Sequence, residues 1–165
     1  MKTLYIIRHG KSDWNNPALT DFERPLNKRG KKNALFMGEV LAQKKVHPDL
    51  IISSPALRAK MTAKEIAKKV GYNTKKIVYE EGLYMADINQ IEDILKKISS
   101  SKKSVFIIGH NPGFTRFAEY ISGYEIDNIP TCGIFCVTFK SDDWQSIEKE
   151  TAKFISFEYP KKHKE

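Results

Sequence analysis

Two short apolar runs in this chain each end in a histidine. Leu4-Tyr5-Ile6-Ile7 passes into Arg8-His9-Gly10, and Val105-Phe106-Ile107-Ile108 passes into Gly109-His110-Asn111-Pro112-Gly113. Four consecutive apolar residues without polar alternation are the pattern of a strand buried on both faces. Such strands belong to a sheet covered by helices on both sides, and ligands then sit outside the strands' carboxyl ends. The pattern therefore predicts two imidazoles, one beside a guanidinium, at a sheet edge that meets solvent.

The segments between these runs alternate in type. Asn27 is placed to cap a helix running to about Lys45, with Ala34, Met37, Val40 and Leu41 on one face. Asp49 to Ser53 reads as a strand. Ser54 and Pro55 then read as the cap and first position of a helix carrying Leu57, Met61, Ile66 and Val70, which stops at Gly71. A short strand is predicted over 76–79, a helix over 88–98, a helix over 112–122, and late strands over 134–139 and 154–159. These elements predict an α/β fold, a three-layer α/β/α sandwich around a mainly parallel central sheet. At 165 residues one domain is expected, over 1–160, followed by a frayed basic tail over 161–165.

Composition narrows the function. No apolar run approaches the ~20 residues that span a bilayer, and the N-terminus lacks the form of a signal peptide, so a cytoplasmic protein with no membrane partner is expected. The two cysteines, Cys132 and Cys136, would lie about 13 Å apart on a continuous strand, too far for a disulfide. They read as small packing residues, and no zinc-like cluster accompanies them. The net charge of +8 favours anionic partners without identifying one. No nucleic-acid recognition motif is visible, and a phosphorylated partner fits the charge equally well, so nucleic acid is not the expected partner.

Arg8 and His9 follow the first strand, Arg58 follows the second, and His110 follows a later one. Two arginines and two histidines around one hole form an anion site, because a guanidinium fork matches phosphate oxygens bidentately. No acidic cluster suited to Mg²⁺ or Ca²⁺ is evident, so neither a metal nor another cofactor is expected. Neighbouring positive charge should keep His9 neutral, with a lone pair free to attack phosphorus. His110, if protonated, would stabilise charge on the equatorial oxygens of the transferring group.

The run Arg8-His9-Gly10-Lys11-Ser12-Asp13-Trp14-Asn15 resembles the signature of the histidine phosphatase superfamily, which also contains the cofactor-dependent phosphoglycerate mutases. Ser53-Ser54-Pro55-Ala56-Leu57-Arg58-Ala59 and Gly109-His110-Asn111-Pro112 are similar to its second and third motifs. The segment from Asp21-Phe22-Glu23-Arg24-Pro25 to Gly30 resembles the SixA-type phosphohistidine phosphatases. The resemblance implies a phosphoglycerate mutase-like fold. It implies that His9 accepts a phosphoryl group held by Arg8, Arg58 and His110, that Asn15 and Arg24 contact substrate, and that Asp21 and Arg24 shape the entrance. The implied activity is metal-independent dephosphorylation of phosphohistidine on a protein, such as a phosphorelay domain. The alternatives are a broad phosphomonoesterase acting on small phosphoesters and a phosphoprotein-binding module without turnover.

One position departs from the family pattern. Many relatives that hydrolyse esters carry an acidic general acid in the segment matching residues 80–87, and Met85 stands here where it is expected. Glu81 and Asp87 are the nearby alternatives. An alkoxide leaving group needs such an acid, whereas a protonated phosphoimidazole leaves as neutral imidazole. The departure therefore favours a phosphoramidate substrate.

Overall fold

The computed structural model describes residues 1–163. Six strands form one sheet: β1 (Lys2–Arg8), β2 (Leu50–Ser53), β3 (Val78–Tyr79), β4 (Ser104–Gly109), β5 (Ile134–Phe139) and β6 (Ala152–Glu158), in the order β3-β2-β4-β1-β5-β6. The first four run parallel, while β5 and β6 are antiparallel additions at one side. Four helices cover the sheet: α1 (Lys28–Gln43), α2 (Leu57–Val70), α3 (Ile88–Lys96) and α4 (Gly113–Ser122).

Alternation along each strand separates two cores. Leu4, Ile6, Val105 and Ile107 pack with Ile91 and Leu95 of α3 and with Phe114 and Phe117 of α4. Ile7, Phe106 and Ile108 pack with Met37 and Leu41 of α1 and with Ile66 and Val70 of α2. Burial on both faces is why β1 and β4 lack polar alternation. The chain leaves β1 through α1 toward β2 and leaves β4 through α4 toward β5. These adjacent strands thus diverge in opposite directions, and the crevice at their carboxyl ends is a topological switch point.

Local chemistry sets the element ends. The Asn27 Oδ1 accepts from the Gly30 N–H at 2.8 Å and caps α1. α2 stops at Gly71, whose φ of 76° suits a residue without Cβ. Two expected starts move. α2 begins at Leu57 rather than Pro55, because the Ser54 hydroxyl serves the Ala56 N–H and His110 instead of capping a helix. α4 begins at Gly113, with Pro112 as its cap. At the start of the expected basic tail, Pro160–His163 form a 3₁₀ turn in which Lys162 Nζ and His163 Nε2 reach Glu158 at 3.3 and 3.1 Å. Residues 164 and 165 of that expected tail lie outside the described residues.

Gly30 lets α1 approach the loop after β1, since a Cβ there would lie 2.2 Å from the Lys11 carbonyl oxygen. Because that neighbour is backbone, the loop must shift to admit a side chain. Gly30→Ala is expected to lower stability by roughly 1–3 kcal/mol, read as a denaturation midpoint. An unchanged midpoint would contradict the close approach.

Candidate active site

β1 and β4 pair in register, ending with Arg8 opposite Gly109, so the first residue after each strand is a histidine. The imidazole centroids of His9 and His110 are 5.0 Å apart. Arg58, in the first turn of α2, reaches both. Its Nε lies 3.4 Å from His9 Nε2, and its Nη2 lies 3.4 Å from His110 Nδ1. All three side chains are buried, His9 at 8%, His110 at 2% and Arg58 at 3% exposure, yet they line one open cavity of about 400 Å³.

Hydrogen bonding defines the state of each ring. His9 Nδ1 is 2.6 Å from the Gly10 carbonyl oxygen, which can only accept, so Nδ1 carries the proton. The Nε2 lone pair is left facing Arg58. The Gly10 N–H donates to Thr62 Oγ1, whose hydroxyl donates to the Arg58 carbonyl, tying this loop to α2. On His110, Nδ1 faces Arg58, while Nε2 lies 2.7 Å from the Ser54 hydroxyl.

Burial is the main force on both histidines. It lowers the His9 pKa to about 4; the Gly10 hydrogen bond opposes this, while the Arg58, Arg8 and Arg24 guanidiniums add to it. Burial, followed by His9 and Arg58, lowers that of His110 to about 3. Neutral His9 agrees with the sequence reading, although burial outweighs the neighbouring charge expected to cause it. The protonated His110 considered from the sequence differs: at neutral pH this ring is uncharged. Burial also pushes the Cys132 thiol up to about 12 and that of Cys136 up to about 11, so neither is a thiolate nucleophile at neutral pH.

Asp21 does more than shape an entrance. Arg58 Nη1 donates to its backbone carbonyl at 2.6 Å, and Arg58 Nη2 donates to Oδ2 at 3.0 Å. Arg24 Nη2 donates to Oδ1 at 2.8 Å, and the Tyr84 hydroxyl donates to Oδ2 at 2.6 Å. Burial opposes ionisation here, but hydrogen bonds from Tyr84, Arg24 and Arg58 hold the carboxyl well below the usual range. Asp21 thus fixes one side of the Arg58 fork while the Nε side faces the histidines.

The remaining candidates divide. Arg8 lines the cavity and donates through Nη1 to the Ile129 carbonyl at 2.9 Å. Arg24 also lines it, bonded to the Ser12 hydroxyl and stacked 3.3 Å from the Trp14 ring centroid. Arg8 Nε and Arg24 Nε are buried without a partner among the described residues. Asn15 does not join them: it is exposed on the loop, its N–H turned to Asp13, and lies outside the cavity wall. Neither alternative acid lines the cavity. Glu81 sits on an exposed 3₁₀ turn, and Asp87 forms the capping box of α3 with Gln90. Met85 does line the cavity. Among the described residues, no group of three His, Cys, Asp or Glu side chains is arranged to hold a metal ion, and no helix is long and apolar enough to cross a membrane.

Sequence reasoning missed Ser54 as a partner of His110 and Tyr84 as a partner of Asp21. The Asp21/Arg24 spacing of three residues was a usable sign of an ion pair. Nothing local ties Tyr84 to residues sixty positions earlier.

Comparison with known proteins shows the family and the fold. The model of the histidine phosphatase superfamily (branch 1) matches residues 4–103. A crystal structure assigned as phosphohistidine phosphatase SixA from Agrobacterium tumefaciens is 26% identical, covers 96% of this chain and 98% of its own, and superposes with a TM-score of 0.81. A SixA protein histidine phosphatase complexed with tungstate is 23% identical over 98% of this chain and 99% of its own, with a TM-score of 0.84, a likeness of fold. A chloroplast protein of Arabidopsis thaliana is 27% identical over 87% of this chain and 69% of its own length.

Folded, the two imidazoles stay neutral down to about pH 4 for His9 and about 3 for His110. Unfolded, each takes up a proton near pH ~6.5. Below that pH the unfolded chain binds more protons, so stability falls as pH falls, by roughly 3 kcal/mol for His9 across its window. Asp21 adds a further loss as pH falls through and below its ordinary carboxylate range. Chemical denaturation between pH 7 and 4.5 should therefore show a steep acid loss that is shallower in His9→Gln and in His110→Gln. Equal pH slopes in all three proteins would contradict two buried neutral rings.

Proposed function

Because the chain belongs to the histidine phosphatase superfamily, and is thus a phosphatase with a histidine-based mechanism, we propose that its substrate is phosphohistidine on a protein and that His9 takes the phosphoryl group. The observation that carries the substrate class is the carboxyl inventory of the cavity. Among its lining residues the one carboxyl is Asp21, and three hydrogen-bond donors keep it ionised. An ionised carboxylate cannot donate the proton that an alkoxide requires. It does favour a leaving group carrying positive charge, which a protonated phosphoimidazole does. The likeness to the Agrobacterium structure supports the same reading.

The chemistry then balances without an added acid. His9 Nε2 attacks phosphorus as the bond to the substrate's imidazolium nitrogen breaks, and that ring leaves neutral, keeping the proton on its other nitrogen. His9 becomes an N-phosphorylated imidazolium whose Nδ1–H still donates to the Gly10 carbonyl. Water next attacks phosphorus, Nε2 departs with its electron pair, and dihydrogen phosphate forms. Arg58, Arg8 and Arg24 supply fixed positive charge to the phosphoryl oxygens, and a bound dianion would draw a proton toward His110 Nδ1.

A panel of a histidine-phosphorylated protein, a sugar phosphate and an activated aryl phosphate tests this. We expect turnover of the first to exceed that of the sugar phosphate, with acid-labile label trapped on the wild type and both lost in His9→Ala. Preferred hydrolysis of the sugar phosphate would overturn the substrate assignment. Asp21→Asn should lower kcat/KM on the phosphohistidine protein by about tenfold relative to the aryl phosphate. An unchanged ratio would remove Asp21 from substrate selection.

A further inference from the structure

Beside the catalytic cavity, a second groove of about 500 Å³ runs between α1 and α2. Its floor is apolar: Leu26, Leu35 and Met61. Leu35 is 38% exposed, on the face of α1 opposite its core residues. Lys31 and Lys32 rim it from α1, and Lys64 and Lys68 from α2, all exposed. The one acidic residue of the lining, Glu65, lies 3.5 Å from Lys68. Four lysines against one carboxylate leave the rim strongly positive.

The groove neighbours the active site. Leu26 bridges Ser12, which lines the catalytic cavity, and Lys31 follows the glycine that packs on Lys11 of that same cavity. Arg58 opens α2, and Lys64 and Lys68 lie six and ten residues further on. At helical rise these lysines stand about 9 and 15 Å from Arg58 along the axis. The groove thus begins near the reacting centre and extends for a length that roughly three turns of helix would cover.

Resting on the phosphatase reading above, we infer that this groove docks an acidic amphipathic helix of the protein that carries the phosphohistidine. An apolar stripe at helical spacing fits a floor between two helices, and flanking Asp or Glu residues complement the lysine rim. Docking there holds the phosphorylated side chain over His9 and separates a protein substrate from small phosphorylated compounds, which fill the cavity and leave the groove untouched. Because the lysines are exposed, their contribution is screened by salt and acts on encounter and KM more than on the chemical step.

The test compares two substrates that share a leaving group. One is a helical phosphotransfer domain with an acidic face, phosphorylated on histidine; the other is free phosphohistidine. In a variant combining Lys31→Glu, Lys32→Glu, Lys64→Glu and Lys68→Glu, kcat/KM on the domain should fall at least tenfold, mainly through KM. Turnover of free phosphohistidine should stay within twofold. Raising NaCl from 50 to 500 mM should weaken only the wild type's use of the domain. Leu35→Asp, which leaves the lysines in place, should reproduce the loss. Equal use of the domain by variant and wild type, or equal losses on both substrates, would overturn the docking role. Binding of the unphosphorylated domain to His9→Ala protein, measured by calorimetry with and without the four substitutions, separates the two ideas. If neither substrate is turned over yet binding depends on the lysines, the phosphatase reading fails and the docking surface stands. If the lysines do not affect binding, the docking surface fails whatever the turnover.

Discussion

The guanidinium of Arg58 is the group on which the site depends. It is 3% exposed, touches both histidines, and is anchored by the backbone carbonyl and carboxylate of Asp21. A buried cation without such an anchor would be costly, because desolvation must be offset by hydrogen bonds to nearby oxygens. Asp21 supplies them from a loop far from α2 in sequence, and Arg24 and Tyr84 hold that carboxylate in turn. Remove this anchor and the fork has no fixed direction. The two imidazoles would then face a cation free to swing toward solvent.

Two neutral rings beside that cation make a site prepared for negative charge. His9 has its proton fixed on Nδ1 and its lone pair presented on Nε2. His110 is the less basic of the two, held by the Ser54 hydroxyl behind it. The same burial that keeps the rings neutral makes the folded state sensitive to acid. The trade-off is ordinary for active sites, where groups are arranged for reaction and stability is supplied elsewhere, here by the two cores on either side of the sheet.

Much of this was legible because it is carried by strands. Unbroken apolar runs at 4–7 and 105–108 identify doubly buried strands, and the residues that follow them must emerge at the sheet edge. Arg58 was legible for the same reason, one turn beyond β2. Less legible were features that depend on long-range side-chain pairing. Asp21 reads as an entrance residue, and only the fold brings its carboxylate to Arg58 across 37 positions. Ser54 has the local pattern of a helix cap, but tertiary demand from His110 takes its hydroxyl and moves the helix start to Leu57. Asn15 follows the first motif in sequence but sits on a loop that carries it into solvent.

The register of β1 against β4 has a consequence for how such a molecule can change. Neighbouring strands stand about 4.8 Å apart, and the two ring centroids are separated by nearly that distance, 5.0 Å. The spacing of the two imidazoles therefore follows that of the backbone ladder. The surrounding segments, including the turn bearing Asp21 and the stretch before α3, could lengthen, shorten or exchange residues without disturbing that gauge. The rim could then be rebuilt alone, with the paired imidazoles beneath it left in place.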